Sequence, residues 1–250
     1  MAAEHIVKAY DQELDQLNNT IAQMGGLAEI QLANAIAAVV QRDSELAVET
    51  VEADTRIDAL EHEVQDQVVR LLALRQPMAR DLRNIVAALK ISSDLERIGD
   101  YATNVAKRAI VLSQTQAVRP AYAVPRMGAI AQTLIKDVLD AFAERNTEKA
   151  LKVWRSDEEL DDMYSGLFRE LLTYMMEDPR NITPSTHLLF IAKNIERIGD
   201  HATNIAETVH FLVEGGPFRE HRPKGDNSSF TVVSPGAQRS AERNEGKGTD

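Results

Sequence analysis

Cysteine is missing from the sequence altogether, and several other residue types are scarce. The absence of cysteine excludes disulfides, thiolate metal sites and thiol nucleophiles, and it fits a reducing cytosol. Aromatic residues make up only 5% of the chain, with 12 glycines and 8 prolines in 250 residues. Because long stretches consist instead of Ala, Leu, Glu, Arg and Gln, which favour helices, the composition predicts a helical protein.

Long apolar runs and an excess of basic residues are lacking as well. No run approaches the roughly 18 apolar residues of a membrane span, and the first residues, MAAEHIVKAY, do not resemble a signal peptide. The sequence therefore predicts a cytoplasmic protein. The 28 Lys and Arg residues face 39 Asp and Glu residues, giving a net charge of −11. This balance argues against a nucleic-acid partner, because binding to phosphates needs clustered basic residues. The excess of acidic residues favours the binding of cations instead.

What the sequence does contain is a repeat. ERIGDYATN at residues 96–104 returns as ERIGDHATN at residues 196–204. The similarity extends further, because an offset of 103 aligns Met24 with Met127 and Asp43 with Asn146, before it falls to 100 at the repeated phrase. Apolar residues at helical spacing predict three helices in each copy. We therefore predict an all-α fold of two tandem antiparallel three-helix bundles, residues 1–116 and 121–213.

Several helix ends and one tail follow from local signals. Asp43 and Asn146 are predicted N-caps of the second helices, while Pro77 and the pair Thr183–Pro184 are predicted to open the third helices. Residues 114–126 read as a linker. Gly25 and Gly26 lie within the first helix and predict a bend or a close helix contact there. Residues 214–250 have too few apolar side chains to fold and predict a disordered tail.

On a helical wheel the repeated phrase separates apolar and acidic side chains. Glu96 and Asp100 fall on one side of the third helix and Ile98 on the other, which predicts an exposed acidic stripe on the outer wall of the bundle. A single pair of acids four residues apart is usually no more than a solvated face. Here, however, Asp54 and Asp58 on the second helix form another such pair. The second copy repeats both pairs.

Four acids brought together by antiparallel neighbours would repel one another unless a cation intervened. Carboxylates with an amide oxygen suit Mg, Mn, Ca or Fe, and nothing in the sequence indicates a structural zinc. Glu207 replaces Lys107 one stripe position further on, which predicts a tighter or larger second site. The predicted metal ligands are Asp54, Asp58, Glu96, Asp100, Asn104, Asp157, Asp161, Glu196, Asp200, Asn204 and Glu207.

No nucleophile, phosphate-cradling glycine loop or acid–base pair is evident, so the sequence predicts a binding protein and no enzyme. Glu207 and His210 make one E-x-x-H motif, but the first copy lacks it, which argues against a ferritin-like centre. Two alternatives stay open: a carboxylate-bridged di-metal enzyme, whose ligands would have to face a bundle interior, and a purely structural helical scaffold.

Five motifs make the sequence resemble the PhoU family of phosphate-uptake regulators: the two repeated phrases, RQPMARDLR at 75–83, MGGLAE at 24–29 and EDPRNI at 177–182. The resemblance covers about residues 4–213 and excludes the tail. It implies a homodimer or higher oligomer and E/D-x-x-x-D motifs that hold multinuclear clusters of iron or another metal such as Mn, Mg or Zn. Those motifs correspond to the four acid pairs named above.

The resemblance also implies a role. Family members are negative regulators of the phosphate regulon that link the ATPase subunit of the phosphate ABC transporter to a sensor histidine kinase when phosphate is plentiful. They also restrain phosphate uptake itself. A protein of this kind would meet the membrane only through its partners.

Overall fold

The structure, a computed structural model, describes residues 2–75 and 77–218, apart from the side chains of residues 2–9, Arg80 and Asp157. Within these ranges the chain forms helices and no strand, which confirms the all-α prediction. None of the described helices has a stretch long and apolar enough to cross a bilayer. Most of the predicted disordered tail, from residue 219 onwards, lies outside the described residues.

The helices of the described residues follow one another in two groups of three rods. Short 3-10 turns at Arg119–Tyr122 and Pro179–Asn181 precede the fifth and seventh helices. The first group has a second rod made of two helices in line, and the second group has an unbroken one. The helices are α1 (Ala2–Gln41), α2 (Ser44–Glu52), α3 (Thr55–Arg75), α4 (Ala79–Ser113), α5 (Ala123–Glu144), α6 (Thr147–Glu177) and α7 (Ile182–Glu214).

The turns that lead into α2 and α6 repeat each other in detail. Arg42 and Arg145, 103 residues apart, both adopt the left-handed conformation, with φ of 56° and 52°. The next residue then caps the following helix: Asp43 accepts hydrogen bonds from two backbone N–H groups of α2, and Asn146 does the same for α6. Both predicted N-caps are thus confirmed, because local capping chemistry decides these helix ends.

The predicted starts of the third helices are wrong. Helix α4 begins at Ala79, two residues after Pro77, and helix α7 begins at Ile182, so that Thr183 and Pro184 lie inside its first turn. In the second case the chain is already turning in the 3-10 segment before α7, and the helix continues directly from it. A side-chain cap at Thr183 is therefore not needed.

The predicted second helix of the first copy is broken. Helix α2 ends at Glu52 and α3 starts at Thr55, with Ala53 and Asp54 in a turn between them. Helix α6, its counterpart, runs through the equivalent position without interruption. The break places Asp54 at the end of a helix, where its side chain reaches towards α1, as described below.

The two groups of rods share one continuous core and pack through equivalent helices. Helix α1 lies against α5, and α4 lies against α7 in the most extensive of the interhelical contacts. The α1–α5 contact is reciprocal: a Cβ on Gly25 would lie 2.6 Å from Leu139, and one on Gly128 would lie 2.8 Å from Ile36. Since the offset of 103 relates both glycines and both partners, the same contact is made twice, as across a twofold axis.

These glycines give a test of the interface. We expect Gly128→Ala to lower the free energy of unfolding by about 1–3 kcal/mol, because its methyl group would press on β-branched Ile36, which has little freedom to move. Gly26→Ala is the matched control: it has nothing within 4 Å of the new methyl group and should stabilise by about 0.5–1 kcal/mol through helix propensity. Urea denaturation measures both. Equal stabilities for the two variants would contradict the reciprocal contact.

Candidate metal sites

In the first bundle the predicted acids lie along the seam between α3 and α4. Burial raises the pKa of Asp58, and the nearby charges of Asp54 and Asp100 raise it further. Burial likewise raises the pKa of Glu96, with Asp100 as the largest contributor among neighbouring charges. Arg97 pairs with Asp100 at 3.2 Å. The four acids are therefore close enough for their charges to interact, and they are half-buried rather than fully solvated.

A buried glutamine, which the sequence reasoning missed, connects this seam to α1. The Nε2 of Gln31 donates to Oδ1 of Asp54 at 2.9 Å and to Oγ1 of Thr103 at 2.6 Å. Gln31 is only 4% exposed. The detectable signal was a polar residue on the otherwise apolar face of α1, between Ala28 and Leu32. A buried amide needs partners, and here it finds them beside the candidate ligands.

Gly99 allows α4 to approach the break between α2 and α3. A Cβ at this position would lie 2.9 Å from Cδ1 of Ile57 and 3.4 Å from Oδ1 of Asp54. The glycine of the repeated phrase therefore serves a close helix contact in the first copy. Its conformational cost in the middle of a helix is offset by this contact.

In the second bundle the acids are more deeply buried. Glu196 and Asp161 are each 4% exposed. Burial raises the pKa of Glu196 to about 7, against the opposing effect of Lys193, whose Nζ donates to Oε1 of Glu196 at 2.8 Å. Asp200 and Asp161 raise this pKa further. Within the described part of the chain, the buried Oε2 of Glu196 has no hydrogen-bond partner.

The prediction of an exposed acidic stripe on the outer wall is thus wrong for Glu196 and Asp161. Helix α6 packs along α7 and covers the polar side of its wheel as well as part of the apolar side. Thr103 and Thr203, which belong to the two repeated phrases, are buried too. A wheel separates two faces of a helix but does not tell which neighbours cover them.

Asn204 and Glu207 have partners away from these acids. The Nδ2 of Asn204 donates to Asp94 on α4 at 3.4 Å, and the Nε1 of Trp154 donates to Glu207 at 3.0 Å. Glu207 lies seven residues beyond Asp200, about 10 Å along the helix axis. Both side chains line a groove between α4 and α7, whereas Asn104 is half-buried on α4.

No three His, Asp or Glu side chains in the described part of the chain converge closely enough to hold a metal ion. The side chain of Asp157 lies outside that part. The structure thus offers carboxylate pairs on adjoining helices, with one buried and unpartnered oxygen on Glu196. All of these donors are oxygen atoms, which suit hard cations. The ligand set itself stays a prediction.

The PhoU domain profile matches residues 21–109 and 124–209, one match in each bundle. A relative in Caulobacter vibrioides, named phosphate-specific transport system accessory protein PhoU homolog, is 52% identical over 89% of this chain and 97% of its own length. A relative of the same name in Rhizobium meliloti is 48% identical over 92% of this chain and 97% of its own.

Solved structures agree. The crystal structure of PhoU from Pseudomonas aeruginosa has a TM-score of 0.81 and 42% identity, covering 83% of this chain and all of that one. PhoU from Streptococcus pneumoniae, described as a phosphate transport system regulatory protein, gives a TM-score of 0.78 at 29% identity, with 84% of this chain and all of that one covered. Sequence, repeat and fold lead to the same conclusion: the chain belongs to the PhoU family.

Proposed function

We propose that this protein is a regulatory accessory protein of a phosphate-specific transport system. The observation that carries the proposal is the match, along almost the whole length of relatives bearing that name, at about half identical residues. Both bundles contribute to this match, so the complete repeat is preserved. The all-helical surface, with its net negative charge, suits protein partners better than nucleic acid.

In its finer form, the proposal is that the protein is a negative regulator of the phosphate regulon. It acts as an adaptor between the ATPase subunit of the transporter and a sensor histidine kinase, restrains uptake when phosphate is plentiful and works as a homodimer in the cytoplasm. The support is the PhoU family membership. The two bundles, joined through a continuous core, would offer separate faces to the two partners.

This role predicts a change in gene expression. In a strain lacking the protein, an alkaline phosphatase reporter of the phosphate regulon should be expressed in high phosphate, because nothing then links the transporter to the sensor histidine kinase. Complementation with the wild-type chain or with Gly26→Ala should restore repression. Reporter activity that stays low in the deletion strain would contradict the regulatory role.

We also propose that the acid pairs bind metal ions. Asp54, Asp58, Glu96 and Asp100 would have to close around a cation at the α3–α4 seam, since no three of these described side chains converge without one. Their counterparts Asp157, Asp161, Glu196 and Asp200 would hold a cation at the α6–α7 seam. A bound cation would neutralise the clustered carboxylates and join the second and third rods of each bundle. The unpartnered Oε2 of Glu196 supports this proposal, since a buried carboxylate oxygen normally has a partner.

No enzymatic reaction is part of the proposal, because the relatives are named as accessory proteins. The burial of Glu196 and Asp161 does remove one argument against a di-metal enzyme, namely that the ligands face away from the interior. Turnover of a phosphate ester, or consumption of oxygen, by the metal-loaded protein would favour the enzyme instead.

Metal binding is testable by comparing the bundles. We expect the double variant Glu196→Gln, Asp200→Asn to weaken Mn²⁺ binding in the second bundle by at least roughly 10- to 100-fold. Loss of a residue that only orients a metal ligand has an effect of this size, and loss of the ligand itself should cost no less. The equivalent change, Glu96→Gln with Asp100→Asn, should affect only the first bundle. Isothermal titration at pH 8 separates the two classes of site. Titrations identical to wild type for both variants would leave the acids as a structural feature.

The raised pKa of Glu196 predicts an unusual dependence of stability on pH. In metal-free protein the folded state holds this proton to about pH 7, whereas the unfolded chain releases it near its ordinary pKa. The stabilising contribution of the proton on Glu196 is complete below the pKa of the unfolded chain. It disappears as the pH rises through the pKa of the folded state. Glu196→Gln should therefore be more stable than wild type at pH 8, by up to about 3 kcal/mol, and nearly equal to it below pH 4.5.

The matched control is Glu96→Gln, because the side chain of Glu96 is 19% exposed and that of Glu196 only 5%. The control should show a smaller gain at pH 8. Urea denaturation in the presence of a chelator measures both. A Glu196→Gln variant that is less stable than wild type at pH 8 would show that the carboxylate is well solvated or well paired without metal.

A further inference from the structure

The chain does not leave the molecule where α7 ends. Gly215 adopts φ of 79° and its N–H bonds back to the carbonyl of Phe211, which reverses the chain direction. The carbonyl of Gly216 then accepts a hydrogen bond from Nδ1 of His210 at 2.9 Å. The prediction that the disordered tail starts at residue 214 is therefore wrong for its first residues.

Phe218 holds this return in place. Its ring centroid lies 4.2 Å from that of His210 and 5.1 Å from that of Trp154, so it packs across the seam between α6 and α7. Both contacts are in the range of favourable aromatic pairs. The first turn of the tail is thus fixed on the second bundle, and the chain continues from Phe218 at this point.

Pro217 and Phe218 form part of the walls of two cavities. One, of about 620 Å³, lies in the groove between α4 and α7 and is lined by Lys90, Asp94, Glu207 and aromatic rings, with Trp154 among them. The other, of about 460 Å³, is bordered by Glu148 and Glu214 at the ends of α6 and α7. Four carboxylates and one ammonium group thus surround the place where the described chain stops.

The next residues of the sequence carry the opposite charge. Residues 219–224, REHRPK, hold Arg219, Arg222 and Lys224 against the single acid Glu220. Six residues span at most about 20 Å, which is enough to cross either cavity from Phe218. The remaining tail, residues 225–250, contains three basic and four acidic residues, so its cations are concentrated in the segment next to the cavities.

We propose that residues 219–224 dock into the two acidic cavities beside Phe218, one in the α4–α7 groove and the other at the ends of α6 and α7, so that the tail acts as a ligand of its own chain. The arginines would pair with carboxylates at the walls, and the aromatic rings would pack against their planar groups. Because the groove is formed by one helix from each bundle, a docked tail covers the seam between them. A partner that uses this groove would have to displace the tail.

The chain offers a convenient test, because it has a single tryptophan, Trp154, and no cysteine. Full-length protein with Ser228→Cys carries one fluorescent acceptor, and energy transfer from Trp154 reports docking. We expect Arg219→Glu, Arg222→Glu and Lys224→Glu together to lower the docking constant by roughly tenfold or more, about 1.4 kcal/mol, and therefore to reduce transfer. High salt should weaken transfer in the wild-type tail.

The matched control reverses three cations further along the tail, Arg239→Glu, Arg243→Glu and Lys247→Glu, and should leave transfer unchanged. In a reciprocal variant, Glu148→Gln with Glu214→Gln should lower transfer while the tail sequence stays intact. Equal transfer in the proximal and distal variants would overturn the proposal. So would transfer that is lost when labelled chains are mixed with excess unlabelled protein, because the tail would then be docking on a second copy.

Discussion

The desolvation of paired carboxylates is the constraint on which the rest of this structure depends. Each bundle places acids of its third helix against its second helix, where water is partly or wholly removed. Burial disfavours the charged form and like charges add to this effect. The fold must therefore hold these side chains in place by the surrounding packing, because the acids themselves oppose it.

The two bundles meet this constraint differently, although their sequences are related. In the first bundle, the break before Thr55 turns Asp54 towards Gln31, whose amide also serves Thr103. In the second bundle, Leu134 occupies the position equivalent to Gln31. Helix α6 runs without a break through the position equivalent to the turn between α2 and α3. The second bundle instead relies on Lys193 and on the raised pKa of Glu196. The two candidate sites are therefore chemically unequal through the burial of Glu196 and Asp161, whereas Glu207 accepts a hydrogen bond from Trp154 away from these acids.

The single substitution in the repeated phrase lies where the two copies meet. Tyr101 and His201 face each other across the α4–α7 seam, with ring centroids 5.6 Å apart. Arg197 donates to the hydroxyl of Tyr101, and His201 donates to Asp94. Near an axis that relates α4 to α7, a residue lies opposite its counterpart in the other copy. Because the counterparts Tyr101 and His201 differ, they allow complementary hydrogen bonds. The same seam continues into the groove beside which the chain returns at Phe218.

The sequence by itself determined the all-helical class, the repeat, the capped turns at Asp43 and Asn146, and the spacing of the acid pairs, because these are written in local patterns along the chain. Only the tertiary structure decided that Glu196 and Asp161 are buried, that Gln31 reaches Asp54, and that Asn204 and Glu207 have partners elsewhere. These outcomes depend on which helix covers which face. A helical period describes one rod at a time, whereas solvent access and side-chain partners are properties of the rods packed together.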